Sequence, residues 1–170
     1  MRTIRKTARG SVAGALVVAT LALLLSACEP PDYSKCPTRG SGQVRVALVV
    51  DARAFGGTTS VVCVVVASGA NGVTALRARA TRLGTAPPRF DSSGLLCAID
   101  GRPAAPKCGE QGPNGYKYWS YWLGGSSWQF ASIGPATRTV QDKTVDGWRF
   151  LNGGDPVPPD TPSGFGALTS

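Results

Sequence analysis

The chain has 170 residues, 42% of them hydrophobic and 16% charged, with 22 Gly, 13 Pro, 5 Cys and no His. That length fits one domain, with or without export and linker segments, and excludes a large multidomain enzyme; the missing His removes Ser-His-Asp and Cys-His catalysis and the commonest transition-metal ligand sets. The formal charge of +8 overstates the basicity of any folded part, because four of the 18 basic residues and none of the 10 acidic ones lie in residues 1–27, leaving +4 for the rest.

Arg2, Arg5, Lys6 and Arg9 precede an apolar or small run from Val12 to Leu25 that ends in Ser26-Ala27-Cys28. A basic head, a core shorter than the ~20 residues of a spanning helix and small residues before a cysteine read as a cleavable signal peptide over residues 1–27. Leu25-Ser-Ala-Cys28 is similar to the lipobox of bacterial lipoproteins, which implies lipidation at Cys28 and an anchor on the extracytoplasmic face of the cell membrane. Residues 28–42 are rich in Pro, Ser and Gly and read as the lipidated N-terminus and its tether.

Gln43 to Asp51 alternates, with Val44, Val46, Leu48 and Val50 on one side, and Thr58 to Val66 is a second β-branched run; a hairpin joins them through Gly56-Gly57. Asn71 caps a predicted helix over Val73 to Leu83, with Gly84 just past its end and Pro87-Pro88 barring continuation. Val73, Leu76, Ala80 and Leu83 share its apolar face, and Arg77, Arg79 and Arg82 are expected on the solvated one. Beyond residues 1–27 these are the only clustered basic residues, so no nucleic-acid partner is expected.

Leu95 to Asp100 is a predicted third strand, residues 116–123 a fourth, Trp128 to Ile133 a fifth and Val145 to Phe150 the last. Residues 151–170 hold four Pro and four Gly and are expected to form a loose tail.

Cys36, Cys63, Cys97 and Cys108 are an even set in a chain that reads as exported, so two disulfides are expected. Their spacings of 27, 34 and 11 contain no Cys-x-x-Cys knuckle, and no metal site is expected. Three pairings exist; sequence separation favours Cys97 with Cys108 and Cys36 with Cys63.

Seven of the 13 aromatic residues fall between Tyr116 and Phe130. Alternation puts Tyr116, Tyr118 and Trp122 on one face of their strand and Trp119 and Tyr121 on the other. Two readings follow, packing on both faces or a stacking platform for a flat, partly apolar ligand contacted by Tyr118, Trp119, Tyr121, Trp122 and Trp148. Asp142 with Asp146 and Asp91 with Asp100 are the carboxylate pairs on offer to an enzyme, but turns use Asp for backbone bonding. No phosphate loop, dinucleotide fingerprint or calcium loop occurs, and neither an enzyme nor a cofactor is expected.

The order strand, strand, helix, strand, aromatic strand, strand and final strand resembles the β-grasp domain at the C-terminal end of transcobalamin and intrinsic factor, and the related uncharacterised domain of bacterial surface lipoproteins. The matching stretches are Thr74-Ala-Leu-Arg, Leu96-Cys-Ala-Ile-Asp-Gly101, Tyr118-Trp-Ser-Tyr-Trp122 and Val145-Asp-Gly-Trp-Arg-Phe150, within residues 43–150. The resemblance implies an α+β, β-grasp-like small mixed sheet with one packed helix. It also implies a membrane-anchored module that binds or captures a small molecule, a corrinoid or another vitamin, for a transporter. It does not extend to an imidazole ligand for cobalt, since the chain has no His. The alternative is a protein- or polymer-docking structural module of the cell envelope.

Overall fold

The computed structural model describes residues 31–169. The expected signal peptide and Cys28 lie outside the described residues. Of these, residues 33–169 form one compact unit.

The first hairpin forms where alternation places it. β1 (Gln43–Asp51) and β2 (Thr59–Ala67) pair antiparallel from Gln43↔Ala67 to Asp51↔Thr59, and a 3-10 turn at Arg53–Phe55 lies between them. The chain then enters α1 (Gly72–Leu83). Asn71 is extended and its side chain accepts from Thr74 N at 2.9 Å, while Gly84 ends the helix at φ 67°, a left-handed position that glycine adopts without steric cost.

A two-residue strand, β3 (Arg89–Phe90), pairs with β4 (Leu96–Ala98) in a ribbon of its own. The expected third strand therefore does not join the main sheet. β5 (Glu110–Gly112) turns into the long aromatic strand β6 (Gly115–Leu123), and the strand expected over Trp128 to Ile133 shrinks to β7 (Gln129–Phe130). β7 borders the same edge of β6 as β5 does. β8 (Thr144–Asn152) inserts between β1 and β6, parallel to the first and antiparallel to the second, giving the order β2-β1-β8-β6-β5. A final strand placed centrally and parallel to the first, with one main helix across the sheet, is the expected α+β, β-grasp-like arrangement.

Strand alternation divides the core in two. Val46, Leu48, Val50, Val62 and Val64 meet Leu76 of α1 and Trp119, Tyr121, Trp148 and Phe150 on one face. Each fully buried aliphatic side chain contributes roughly 1.5–3 kcal/mol of apolar transfer. On the opposite face Ala47, Val49 and Val145 lie beneath Leu168, Phe165 and Trp128. Residues 151–170 are thus not a loose tail: Trp128 Nε1 donates to Thr161 O at 2.9 Å, Arg149 Nη1 donates to Pro158 O at 2.8 Å, and the short helix α2 (Phe165–Leu168) brings Leu168 onto the sheet. A sheet apolar on both faces must be covered on both, and this segment supplies the second cover.

Both favoured disulfides form. Cys36–Cys63 holds the segment before β1 against β2, where Cys63 N also donates to Tyr33 O at 2.9 Å, and Cys97–Cys108 closes the loop after β4.

Candidate functional site

The aromatic residues of β6 and β8 fall mainly inside the protein. Trp148 is 0% exposed, Trp119 4%, Trp122 6% and Tyr121 8%; Tyr118 is half-buried. Tyr121 stacks on Trp148 with ring centroids 5.0 Å apart and planes 18° from parallel. Trp122 lies on the opposite face, edge-on to Phe130, with its Nε1 donating to Ser120 Oγ at 2.9 Å. Trp119 is edge-on to Phe150 at 5.5 Å, so stacking and edge contacts, which are packing geometry, account for four of the five aromatic positions singled out by the sequence.

Tyr121 also carries a polar function. Its hydroxyl donates to Asp146 Oδ2 at 2.6 Å, and Arg138 Nε approaches Oδ1 of the same carboxylate at 3.3 Å. Burial pushes the Asp146 carboxyl and the Tyr121 hydroxyl above their ordinary values. Asp142, by contrast, is clamped by the Arg45 backbone and guanidinium at 2.9–3.2 Å, which holds its carboxyl well below the usual range. Asp91 accepts from Ser93 and Leu95 in a local turn. Each carboxylate nominated from the sequence is engaged by such partners.

A turn on the helix-covered face brings three further groups together. Ile99 and Arg102 exchange backbone hydrogen bonds at 3.0 and 2.9 Å around Asp100 (φ 51°) and Gly101 (φ 74°). Two successive positive φ values favour an Asp-Gly pair. Asp100 receives Arg79 Nη1 at 2.8 Å and Thr85 Oγ1 at 2.7 Å, and Arg79 Nη2 donates to Ser60 Oγ at 2.8 Å. Arg79, expected on the solvated face of α1, is therefore 2% exposed and lies in the buried stripe with Ala75, Leu76 and Ala80. Desolvation depresses its pKa despite Asp100, and its buried Nε has no partner among the described residues.

Beside this cluster, a cleft of about 220 Å³ opens between the 3-10 turn and the loop closed by Cys97–Cys108. Phe55 and Phe150 form its apolar part, with ring centroids 4.4 Å apart. Lys107, Lys117, Glu110 and Asn152 supply its polar part; Lys117 Nζ lies 3.1 Å from Glu110 Oε1 and Lys107 acts on the same carboxylate, so the cleft carries one cation in excess. That ion pair lowers the Glu110 pKa.

Phe55 is positioned electrostatically from below. The buried Asp51 accepts from Arg53 N and Nε on one oxygen and from Nη2 at 2.7 Å on the other, so the turn is tied to the end of β1. Burial alone would raise the Asp51 pKa, but these bonds and the nearby Arg149 outweigh it and lower it. A second hollow, of about 280 Å³, includes Ser60, Arg79, Asp100, Arg102 and Trp119. Phe55 packs against the Trp119 that lines it, with ring centroids 5.9 Å apart. Of the aromatic residues proposed from sequence to contact a ligand, Trp119 lines this hollow and none lines the cleft.

Sequence reasoning missed Phe55, Lys107, Lys117 and Phe150. A large apolar residue in the connection Ala52 to Gly57 was the available signal for Phe55. Lys117 is brought beside Glu110 and the Lys107 loop by the β5–β6 hairpin, and beside Asn152 by the pairing of β6 with β8, which no local pattern marks. Among the described residues, one grouping has the ligand types of a metal site, Asp91 with Cys97 and Cys108, but both sulfurs are committed to the disulfide.

The family model described as SCO2322-like domain matches residues 111–168, which run from β5 through α2. No curated protein matches the chain. Among solved structures, the chain is similar to a crystal structure of haptocorrin in complex with Cbi, at 16% identity and a TM-score of 0.52, over 69% of this chain and 27% of that one. It therefore spans about a quarter of the haptocorrin chain, and the similarity is one of fold.

Proposed function

We propose that the protein is a lipid-anchored extracytoplasmic module that captures a small molecule in the cleft between Phe55 and the Cys97–Cys108 loop. The observation that carries this reading is the cleft itself, in which two aromatic rings adjoin Lys107, Lys117, Glu110 and Asn152. Apolar area gives affinity and a few convergent polar groups fix orientation, the usual composition of a ligand site. The ligand chemistry that fits is a flat apolar body carrying hydrogen-bond acceptors or negative charge toward Lys107. The similarity in fold to haptocorrin, solved in complex with Cbi, supports including corrinoids in the test.

The mechanism is binding without turnover. Anchoring follows from the signal peptide and Cys28 of the sequence, and release to a membrane transporter is the role such an anchor suits. Substituting Cys28→Ser should abolish labelling by a fatty-acid probe and release the protein from the membrane fraction; unchanged labelling would overturn the anchor.

The ligand test is a titration of the oxidised protein with cobinamide, flavin and other flat vitamins, following tryptophan fluorescence and melting temperature. Saturable quenching with a raised Tm is expected, since binding to the folded state stabilises it by about 2.7 kcal/mol at a hundredfold excess over Kd. Lys107→Met with Lys117→Met should weaken binding at least tenfold while leaving the fold intact. No response across the panel would overturn capture and favour the docking reading. Exposed Phe130 and Ile133, at 50% and 46%, are the surface that supports this alternative.

A further inference from the structure

We infer that the open end of the β2 edge, beside α1, is a docking site for an extended acidic segment of a partner protein, which adds to the sheet as a further strand. β2 closes one side of the main sheet, and its nine residues include no charged residue and no Pro. Natural edges usually carry such devices against pairing. The chain itself covers the middle of this edge, where Cys63 N donates to Tyr33 O at 2.9 Å and the Cys36–Cys63 disulfide fixes the crossing. Outward-facing backbone groups recur at every second residue of an antiparallel edge, so Val65 and Ala67 present theirs on the same side as Cys63. Arg45, opposite Val65, agrees: its N–H donates to Asp142 Oδ1 at 2.9 Å and its O accepts from Lys143 N at 2.8 Å, both away from β2. Among the described residues the Val65 N–H and C=O and the Ala67 N–H have no backbone partner.

This edge borders an open groove of about 550 Å³, with Val64, Val65 and Pro37 on one side and Ala78, Thr81 and Arg82 of α1 on the other. None of these residues lines the Phe55 cleft. The charge of the groove has one sign. Residues 33–50 and 52–90 contain no Asp or Glu, so the entry segment, β2 and α1 have none. Arg82 donates through Nη2 to Lys35 O, a neutral acceptor, and the exposed Arg77 shares a helix face with Thr81, four residues on. Neither arginine forms an ion pair among the described residues. Side chains alternate on an added strand, so acidic residues at every second position face these arginines while the backbone pairs with Val65 and Ala67. A second copy of this chain fits less well. Antiparallel pairing of two β2 edges sets both α1 helices on the same face of the joined sheet, which places Arg77 and Arg82 against their counterparts and brings no carboxylate.

The site is tested on the full oxidised chain, labelled with ¹⁵N, by titration with an end-blocked eight-residue peptide alternating valine and glutamate, and separately with one alternating valine and lysine. The glutamate peptide is expected to shift the Val65 and Ala67 amide resonances saturably and to slow their hydrogen exchange at least tenfold, with an affinity that falls as salt is raised. The lysine peptide should bind at least tenfold more weakly. A glutamate peptide methylated at every backbone nitrogen keeps its charges but loses its donors, and should give no such protection. Arg77→Glu, at an exposed helix position, should weaken the glutamate peptide at least threefold with little change in Tm. The proposal is overturned if neither amide gains protection, if the lysine or methylated peptide protects them equally, or if Arg77→Glu has no effect. Protection of the same amides that rises with protein concentration in the absence of peptide would also overturn it, by placing a second copy on the edge. These amides report the β2 edge and not the Phe55 cleft, so the outcome stands whether or not the cleft takes a ligand.

Discussion

Tyr121 donates its hydroxyl to the buried carboxylate of Asp146 at 2.6 Å, so the strand pair at the centre of the sheet is joined by a side-chain hydrogen bond inside the core. Stacking on Trp148 fixes the phenol ring, and Arg138 occupies the other carboxylate oxygen. Removing the hydroxyl leaves Oδ2 buried with one partner fewer. Tyr121→Phe should therefore cost about 1–3 kcal/mol in urea unfolding. A loss below about 0.5 kcal/mol would show that another donor replaces the phenol.

The same carboxylate gives the protein a pH signature opposite in sign to that of Asp51. Burial raises the Asp146 pKa in the folded state, so the folded protein holds that proton more tightly than the unfolded chain. Its contribution is complete below the unfolded value near ~3.9 and is lost as pH rises through the folded pKa. Asp51 is lowered, so its contribution is present above the unfolded value and is lost as pH falls through the folded pKa. Stability curves against pH for Asp146→Asn and Asp51→Asn test the signs. Relative to wild type, the first variant should improve as pH rises and the second should improve as pH falls.

The hairpin and α1 were legible because their signals are local: alternation in Val44 to Val50, Asn71 before the helix and Gly84 after it. Arg79 was not, because its burial depends on Asp100, 21 residues away, whose carboxylate is presented by the Asp-Gly turn. Helical spacing from Leu76 places position 79 on the buried side, but charge outweighed that spacing in the sequence reading. The covering segment at 153–169 was obscured by its Pro and Gly content. The sign that the sheet needed a second cover was present in β1, where Ala47 and Val49 break the polar half of the alternation. The aromatic strand was legible as a strand; that most of its rings serve packing follows from covering both sheet faces, which no local pattern specifies.

That second face makes Gly147 and Leu168 sensitive positions. A Cβ built on Gly147 would lie 2.7 Å from the Trp128 ring and 3.1 Å from Pro159, with no room to relax unless the covering segment lifts. Gly147→Ala should destabilise by about 1–3 kcal/mol as an overpacked core does. Leu168→Ala should cost about 2–3 kcal/mol by leaving a cavity over Ala47, Val49 and Val145. Both should increase binding of an apolar dye at the exposed face. If Leu168→Ala is neutral in thermal unfolding, the segment does not contribute to the fold in solution.

The two disulfides should separate stability from binding. Cys36–Cys63 and Cys97–Cys108 close loops with sequence separations of 27 and 11, and each should contribute about 3 kcal/mol by restricting the unfolded chain. Their positions differ in kind. Cys36–Cys63 fastens the entry segment to β2 on the sheet, whereas the loop closed by Cys97–Cys108 carries Pro103 and Lys107 into the cleft, and Gly109 follows it directly. Replacing Cys36 and Cys63 by Ala should lower Tm and leave ligand affinity in the cleft within about twofold under conditions where the protein stays folded. Replacing Cys97 and Cys108 by Ala should lower Tm comparably and also weaken binding at least tenfold, because Lys107 is then held on an open loop and its ordering must be supplied by the ligand. Equal affinities in the two double variants, measured by the same titration, would place the ligand away from this loop.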